Sequence, residues 1–281
     1  MNKIVVEGLK YKYPLSDTLA LDDLSFQVKE GEFIGIIGKN SAGKSTLCQA
    51  LVGLVPHFYK GAYGGKVFID GLEVKNQTIA DISLKVGMVF QNPFTQVTGS
   101  KMTVYEEIAF GLENIGIPRS EMIARIDYVL DLLKIEQVKD QNPFDLSGGQ
   151  MQRMAIASII AMKPDILVLD EPTSQLDPAG SEEVFQAIQS LSKQGITIIL
   201  AEHKMEKVAL YCHRVLLLDD GKMVDINTPG KIFSRGDLEQ HGVAAPVYTR
   251  VCKELGVRKA GTSEFPVTLA EAESVLRGRK I

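Results

Sequence analysis

The feature that most constrains this chain is a stretch near its start, where an apolar run meets a glycine-containing loop and then a helix-compatible segment. Residues 33–37 read FIGII, and so short an isoleucine-rich run, ended by Gly38, is typical of a strand covered on both faces. Gly38 to Ser45 match the phosphate-binding pattern G-x-x-x-x-G-K-[ST]. A chance match in a glycine-rich turn is the alternative, but the segment STLCQAL that follows favours the motif. The stretch therefore predicts a site for a nucleoside triphosphate.

The residue types in this loop fit the chemistry of a polyphosphate. Gly38 and Gly43 allow backbone conformations that a Cβ would block, so that successive N–H groups can point at the anion. A helix that begins near Lys44 directs its positive end at the same point. Lys44 would reach the β- and γ-phosphates, and the Ser45 hydroxyl would bind the Mg²⁺ that bridges them. The predicted nucleotide-binding residues here are Gly38, Lys39, Asn40, Ser41, Ala42, Gly43, Lys44, Ser45 and Thr46.

The composition of the 281 residues disfavours several classes of protein. A net charge of −4 argues against a broad nucleic-acid footprint, which needs a basic face. The three cysteines, at positions 48, 212 and 252, lack CxxC spacing, so neither a zinc site nor a disulfide framework is indicated and a reducing cytosol suits them. No apolar run approaches the roughly 18 to 20 residues that span a bilayer. If the protein acts at a membrane, we expect other chains to do the spanning.

The hydrophobic pattern predicts a largely parallel α/β core. Ile4–Val6 and Leu24–Val28 predict two strands of an antiparallel sheet, with Asp22-Asp23 in the loop between them. Further strands are predicted over 66–71, 86–90, 165–171 and 195–201, with a β-hairpin over 214–224. Between about 103 and 162 the apolar spacing is helical, with Ser120 as an N-cap. Strands that alternate with helices favour a parallel sheet.

The C-terminal residues lose these strand signals beyond about position 229. A short helix is predicted over 246–255, and Thr268 to Glu271 have the spacing of a capping box that opens a last helix ending near Gly278. We interpret 229–281 as a small appendage, for which a packing role is the default.

Two carboxylates, Asp170 and Glu171, end one of the predicted buried strands. With a phosphate loop upstream, Asp170 would hold Mg²⁺, directly or through water, and Glu171 would orient and deprotonate the attacking water. The alternative is a pair of solvated carboxylates at a strand end. The phosphate loop favours the catalytic interpretation.

Polar residues also end two neighbouring strands. Since parallel strands bring their carboxyl ends to one edge of a sheet, His203 is predicted to contact the γ-phosphate, and Gln91 to contact Mg²⁺ or the attacking water. The other histidines, His57, His213 and His241, have no such placement and are interpreted as structural or exposed.

Two further features are open to more than one interpretation. Tyr13 precedes the phosphate loop closely enough to stack on an adenine, although tyrosine is also common at strand ends. Ser147, Gly148, Gly149 and Gln150 place two glycines after a serine at a helix start, which predicts a second anion-binding nest. One nucleotide does not need two such cradles in one chain, so the second is expected to serve the nucleotide of a partner subunit.

Taken together, these segments resemble those of a known family, the ATP-binding cassette (ABC) ATPases. The resemblance rests on Gly38 to Ser45, Gln91, Leu146 to Gln150, Ile166 to Glu171, Ser174 to Asp177 and His203, which look like its phosphate loop, Q-loop, signature, magnesium-site strand, D-loop and switch histidine. It implies a cassette domain over 1–228 with a helical signature subdomain at about 92–163. It also implies two cassettes paired head to tail around two ATP molecules, with Tyr13 as the adenine-stacking aromatic.

A narrower resemblance is to the energy-coupling factor (ECF) ATPases, which drive uptake of vitamins and of cobalt or nickel. It rests on the segments FQNPFTQ at 90–96 and IAFGLEN at 108–114, and it assigns Gln96 to a short helix near the coupling surface. Phe94-Thr95 departs from the acidic pair common there. The resemblance implies that 229–281 is a small dimerisation domain. It also implies a peripheral place on the cytoplasmic face of the membrane, beside a transmembrane coupling protein and a small integral substrate-binding protein.

The sequence also bears on three other functions. The ATPase of another ABC importer keeps every motif above. A soluble cassette protein acting on DNA or ribosomes is disfavoured by the lack of a heptad insert, a second cassette or a basic excess. A simple P-loop kinase gives no reason for the segment 147–150. Both a homodimer and a heterodimer remain open, and the transported substrate would be set by the membrane chains.

Overall fold

The computed structural model of the protein describes residues 1–277; the predicted end of the last helix near Gly278, and the final four positions of the predicted domain 229–281, lie outside this range. The strands are β1 (Asn2–Lys12), β2 (Leu21–Lys29), β3 (Phe33–Ile37), β4 (Ala62–Ile69), β5 (Leu72–Glu73), β6 (Val86–Val89), β7 (Ile166–Asp170), β8 (Thr197–Ala201), β9 (Arg214–Asp219) and β10 (Lys222–Asn227). The helices are α1 (Lys44–Leu51), α2 (Leu54–His57), α3 (Ile79–Ser83), α4 (Val104–Asn114), α5 (Arg119–Leu132), α6 (Gly148–Ala161), α7 (Pro178–Lys193), α8 (Met205–Tyr211), α9 (Pro229–Phe233), α10 (Val247–Glu254) and α11 (Leu269–Arg277).

Within residues 1–277 the strands form two sheets. One is antiparallel, in the order β2-β1-β4-β5, and the other has the order β10-β9-β3-β8-β7-β6. In the second sheet β9, β3, β8, β7 and β6 pair in parallel, and β10 closes one edge as the antiparallel arm of a hairpin. The predicted α/β fold with an antiparallel β subdomain is confirmed.

The parallel sheet is buried on both faces, as its sequence pattern predicts. Every residue of β3, β7 and β8 is buried. Along β3, Phe33 and Ile37 join an apolar cluster formed with the helices of 104–191, whereas Ile34 and Ile36 join a second cluster with the antiparallel sheet and α1. The alternation of strand side chains thus divides the core into two layers around one sheet.

Two local predictions were wrong. Asp22 and Asp23 lie inside β2 rather than in a loop, because the strand continues through an irregular register with their side chains at the surface, where Lys10 and Lys222 form ion pairs with them. Ser120 is not an N-cap. Pro118 occupies that position, and its extended backbone starts α5 two residues earlier than predicted.

The C-terminal residues divide between two apolar clusters. Phe233, Leu238 and Val243 are buried in the main cluster with the helices, whereas Cys252 and Phe265 belong to a separate small one. The predicted helix over 246–255 is present as α10. Of the predicted capping box before α11, the Thr268 hydroxyl accepts from the backbone N–H of Glu271, but the Glu271 carboxylate accepts from Val267 instead. The segment that follows β10 is therefore fastened to the core, and the boundary at 228 stays a prediction.

The sheet brings several loops to one edge. The carboxyl ends of β3, β6, β7 and β8 lead into the phosphate loop, Gln91, Glu171 and His203, and parallel pairing places these ends side by side. None of the helices in residues 1–277 has the length and apolarity needed to cross a membrane.

Candidate nucleotide-binding and catalytic site

A cleft of about 720 Å³ opens at this edge of the sheet. Its lining contains ten of the residues singled out from the sequence: Tyr13, Asn40, Ser41, Gly43, Lys44, Ser45, Thr46, Gln91, Glu171 and His203. Asp170 lies beneath it, 5% exposed. The segment 147–150 is not part of this lining. The fold therefore gathers the predicted phosphate, magnesium and water-activating groups in one place and leaves the signature segment outside.

The two glycines of the phosphate loop are required by close backbone contacts. A Cβ on Gly38 would lie 2.1 Å from the carbonyl oxygen of Leu218, and one on Gly43 would lie 2.5 Å from that of Ala20. Gly43 also has a φ of 104°, and Ser41, which carries a side chain, has a φ of 64°. The loop thus turns through left-handed backbone twice before α1 begins at Lys44.

The Lys44 side chain lies inside the loop. Its Nζ donates to the carbonyl oxygens of Gly38 and Lys39, at 3.1 Å each, and the residue is 6% exposed. Burial lowers the pKa of the Lys44 ammonium, and the nearby Glu171 and Asp170 oppose that shift. The Lys44 ammonium therefore lies within the curve of the phosphate loop, near the carboxylates of Asp170 and Glu171.

The environment of Asp170 fits a hard cation. Burial raises the pKa of its carboxyl group, the charge of Glu171 adds to the effect, and a hydrogen bond with the Ser45 hydroxyl opposes it. Within residues 1–277, Oδ1 of Asp170 is buried without a hydrogen-bond partner. A hydroxyl and a carboxylate with a free buried oxygen are the ligands that Mg²⁺ takes in nucleotide sites, so this donor set fits the ion.

Glu171 is held between the other two predicted catalytic residues. Gln91 Nε2 donates to one carboxylate oxygen at 2.6 Å, and His203 Nε2 donates to the other at 2.8 Å. The side chain of Glu171 is 16% exposed, so the carboxylate is largely shielded yet open to the cleft. Gln91 and His203, from the ends of two other strands, thus each contact the Glu171 carboxylate directly.

Tyr13 lies at the mouth of the cleft with its hydroxyl tethered. The hydroxyl is 3.1 Å from Thr46 Oγ1 and donates to Gln49 Oε1 at 2.9 Å, both on α1. Its ring meets Tyr11 edge to face, with the centroids 4.8 Å apart. The tyrosine ring is therefore oriented by the same helix that begins at the phosphate loop, and its stacking role stays a prediction.

The segment 147–150 begins α6 with a capping box. Ser147 Oγ accepts from the backbone N–H of Gln150, and Gln150 Oε1 accepts from that of Ser147 at 2.9 Å. Gly149 packs against the loop after β7, since a Cβ there would lie 3.2 Å from Leu176 Cδ2. Both glycines and the serine thus stand at a fixed helix start away from the cleft of their own chain.

Sequence reasoning assigned no role to Glu202, which precedes His203. Its carboxylate is 3% exposed and accepts from the backbone N–H groups of His203 and Lys204 and from the Thr173 hydroxyl. Lys204 Nζ in turn donates to Thr173 O and Ser181 Oγ. These bonds tie the His203 loop to the loop after β7. The position of Glu202 at a strand end was the available signal.

Lys39 takes part in the phosphate loop only through its backbone. Its ammonium lies 2.9 Å from carboxylate oxygens of both Asp219 and Asp220, at the turn between β9 and β10, rather than at the cleft. His241, interpreted from the sequence as structural or exposed, contacts the same Asp219 carboxylate at 2.9 Å.

Comparison with known proteins agrees with this geometry. The family model described as ABC transporter matches residues 21–174. A putative ABC transporter ATP-binding protein of Pyrococcus abyssi is 43% identical, over 99% of this chain and 100% of its own length. The energy-coupling factor transporter ATP-binding protein EcfA1 of Lacticaseibacillus paracasei is 44% identical, over 92% of this chain and 90% of its own. Among solved structures, cbiO1 of Clostridium perfringens, described as part of the ABC transporter complex cbiONQ, is 33% identical with a TM-score of 0.73, covering 91% of this chain and 96% of that one.

The left-handed backbone of Ser41 leads to a stability prediction. Replacing Ser41 by glycine should stabilise the nucleotide-free protein by about 0.5–1 kcal/mol. A residue with a Cβ costs roughly 1–2 kcal/mol in the left-handed conformation, and glycine removes that cost. Part of the gain is lost again, because glycine gives the unfolded chain more conformational entropy. Urea unfolding followed by circular dichroism measures it. Asn40→Gly is the matched control: Asn40 does not adopt a positive φ, so glycine should destabilise there. Equal destabilisation by both would contradict the assignment of strain to Ser41.

Proposed function

The chain belongs to the ABC transporter family, whose ATPase subunits hydrolyse ATP to drive transport, and we propose that it is the ATPase of an ECF-type importer that takes up a vitamin or a transition-metal ion. The similarity to EcfA1 carries this narrower proposal, because it spans 92% of the chain whereas the family model matches only 21–174. The description of cbiO1 as part of a multi-subunit transporter complex supports it. The Pyrococcus relative bears only the broader description.

In the proposed mechanism the adenine stacks on the tethered ring of Tyr13, and the phosphates lie in the loop 38–46. Lys44 and the first N–H groups of α1 stabilise the negative charge that the γ-phosphate carries and redistributes in the transition state. Ser45 and Asp170, with Gln91, would hold Mg²⁺, which neutralises phosphate charge when bound.

The attacking water is assigned to Glu171. Its carboxylate orients the water and takes its proton, while Gln91 and His203 keep the two carboxylate oxygens in place. His203 also lines the cleft, where it would contact the γ-phosphate. The contact among these three residues is the observation that favours hydrolysis over simple nucleotide storage.

Proteins of this family work as dimers together with membrane subunits. We propose a head-to-tail pair, either of two copies or with a second ATPase, in which the segment 147–150 covers the nucleotide in the partner's cleft. Its location outside the cleft of its own chain and its rigid capping box suit that role. A transmembrane coupling protein and a small integral substrate-binding protein complete the proposed complex, at the cytoplasmic face of the membrane.

A surface near the Q-loop is proposed as the contact with the membrane partner. Phe94, Met102 and Phe144 are exposed apolar side chains near this loop and the start of the helical segment, at 54%, 71% and 56%. Gln96 is not free to bind a partner, since its amide oxygen accepts from the backbone N–H of Phe90. It instead holds the turn Pro93–Thr95 that presents Phe94. An amphipathic helix is the partner element that such an apolar surface accepts.

The C-terminal residues offer a second surface, proposed for dimerisation. Val247 and Val251 on α10 and Leu255 at its C-cap follow one another at helical spacing and are 41%, 48% and 56% exposed. Cys252 instead faces the small cluster. A row of exposed apolar residues with i, i+4, i+8 spacing is typical of a helix that packs against another chain.

Substitution of the catalytic carboxylate separates binding from turnover. Glu171→Gln should keep ATP affinity, stabilise the closed dimer and lower phosphate release by at least about 100-fold, since a general base contributes roughly that much.

Lys44→Ala should instead weaken ATP binding in calorimetry by about 10- to 100-fold, because a charge-assisted contact is lost. Glu113→Gln, at an exposed carboxylate outside the cleft lining, is the control. Full ATPase activity in Glu171→Gln would refute the base assignment.

The proposed importer class is tested by what the protein binds in its host. Tagged protein, extracted from membranes in mild detergent, should co-purify with a helical transmembrane scaffold and a small integral substrate-binding protein, identified by mass spectrometry. A paired permease with a separate soluble binding protein would move it to another importer class. Recovery of soluble or ribosomal proteins alone would refute transport.

The α10 row gives a test of the C-terminal surface. Val251→Asp should weaken dimerisation by about tenfold or more, because a charge would be buried in the interface without a partner. Dimerisation is measured by analytical ultracentrifugation in the presence of ATP, with every variant made in protein that also carries Glu171→Gln. Lys253→Asp introduces a charge of the same sign on another side of α10. Removing residues 229–281 is a poorer test, since Phe233 and Leu238 belong to the main core. Unchanged dimerisation in Val251→Asp would exclude this surface.

A further inference from the structure

The turn between β9 and β10 packs against the phosphate loop and contacts it directly. The backbone N–H of Gly221 donates to the carbonyl oxygen of Ala42 at 3.0 Å, and Lys39 Nζ lies 2.9 Å from the carboxylates of Asp219 and Asp220. Lys39 is the second residue of the loop and is not part of the cleft lining, so its side chain anchors the loop to the β9–β10 turn. The turn thus limits how far the loop can move.

Asp219 is shared between the loop and the C-terminal segment. His241 Nδ1 lies 2.9 Å from its second oxygen, and both side chains are 19% exposed. The hydrogen bond from His241, with the Lys39 ammonium beside it, holds the pKa of Asp219 below its usual range. The carboxylate is therefore an acceptor, and Nδ1 of His241 is the donor.

His241 is itself held in place by a fixed segment. Leu238 and Val243, on either side of it, are buried in the main core. Arg235 donates to Asp237 through two nitrogens, at 2.9 and 2.7 Å, and Asp237 also lies 3.6 Å from His241 Nε2. These contacts fix the backbone on both sides of His241 and place its imidazole next to Asp219.

Gly242 brings the same segment directly onto the loop. A Cβ at this position would lie 2.7 Å from Lys39 Cβ, and Gly242 has a φ of 68°. The C-terminal segment therefore meets Lys39 twice, once through the Asp219 carboxylate and once by backbone contact.

We propose that His241 and Asp219 are positioning residues for the phosphate loop, and that through Lys39 the segment 235–243 sets how tightly the cleft holds nucleotide. The inference rests on the proposed role of residues 38–46 as the nucleotide cradle. A loop already fixed in its binding shape loses less conformational freedom when a ligand binds, so its affinity is higher. The groups that activate water are attached elsewhere, so turnover at saturation should not depend on His241.

The test compares two substitutions of the same histidine. His241→Ala removes the donor to Asp219 and should weaken ATP binding by about three- to tenfold, since a hydrogen bond to a charged group is lost but acts only indirectly on the ligand. His241→Asn keeps an N–H near the position of Nδ1 and should restore most of the affinity. His57→Ala is the matched control, because His57 bonds the Val74 carbonyl and lies outside the cleft lining. Affinity is measured by calorimetry with EDTA present, and KM and kcat by phosphate release.

A second variant acts without touching the histidine. Gly242→Ala should push against Lys39 and weaken ATP binding in the same direction, with kcat close to that of the unchanged protein. Melting temperatures of all variants show that they are folded.

The outcomes separate this inference from the proposed function. A raised KM with unchanged kcat in His241→Ala, restored by asparagine, supports it. The inference is overturned if both His241→Ala and Gly242→Ala bind ATP with unchanged affinity, or if His241→Ala and His241→Asn lose affinity equally. The proposed function still stands in that case, provided that Lys44→Ala binds ATP more weakly than the unchanged protein. Failure of the unchanged protein to bind ATP overturns the inference and the proposed function together.

Discussion

The register of three parallel strands determines whether this molecule has a site at all. Ile36 on β3 and Asp170 on β7 both pair with Ala201 on β8, so the three strands end at the same height. The phosphate loop, Glu171 and His203 follow immediately. A slip of one residue would displace one of these groups by roughly 3.3 Å and turn its strand's apolar side chains to the wrong face. Packing on both faces of the sheet therefore specifies the geometry of the candidate site as well as the fold.

The cleft built on this register concentrates opposite charges in a partly dry space. Lys44 is buried among backbone carbonyls, and Asp170 is buried beside Glu171, so each is short of solvent. Burial disfavours the charged forms of Lys44 and Asp170, and the attraction between the Lys44 ammonium and the two carboxylates opposes that cost. A polyphosphate and a divalent cation together would complete the charge balance of this cleft.

Much of this arrangement could be predicted because the signals are local. The phosphate loop is a contiguous pattern, and Gln91, Asp170, Glu171 and His203 each follow an apolar strand directly. What escaped prediction depends on contacts between distant segments. Nothing adjacent to His241 in the sequence indicates Asp219, and the burial of Phe233 depends on a helix only five residues long. Asp22 and Asp23 resemble a loop by composition, but Leu21 and Leu24 on either side of them pair with β1, so that they lie within a strand.

The buried start of α1 has a chemical consequence of its own. Cys48 lies on that helix, fully shielded, and burial together with the charge of Asp170 raises the pKa of its thiol. Oxidants and alkylating reagents attack the thiolate, and the two other cysteines, Cys212 and Cys252, are buried as well. Peroxide that inactivates enzymes with exposed thiols should leave this cleft intact, and a single cysteine introduced at the surface would be the preferred target for a spectroscopic label.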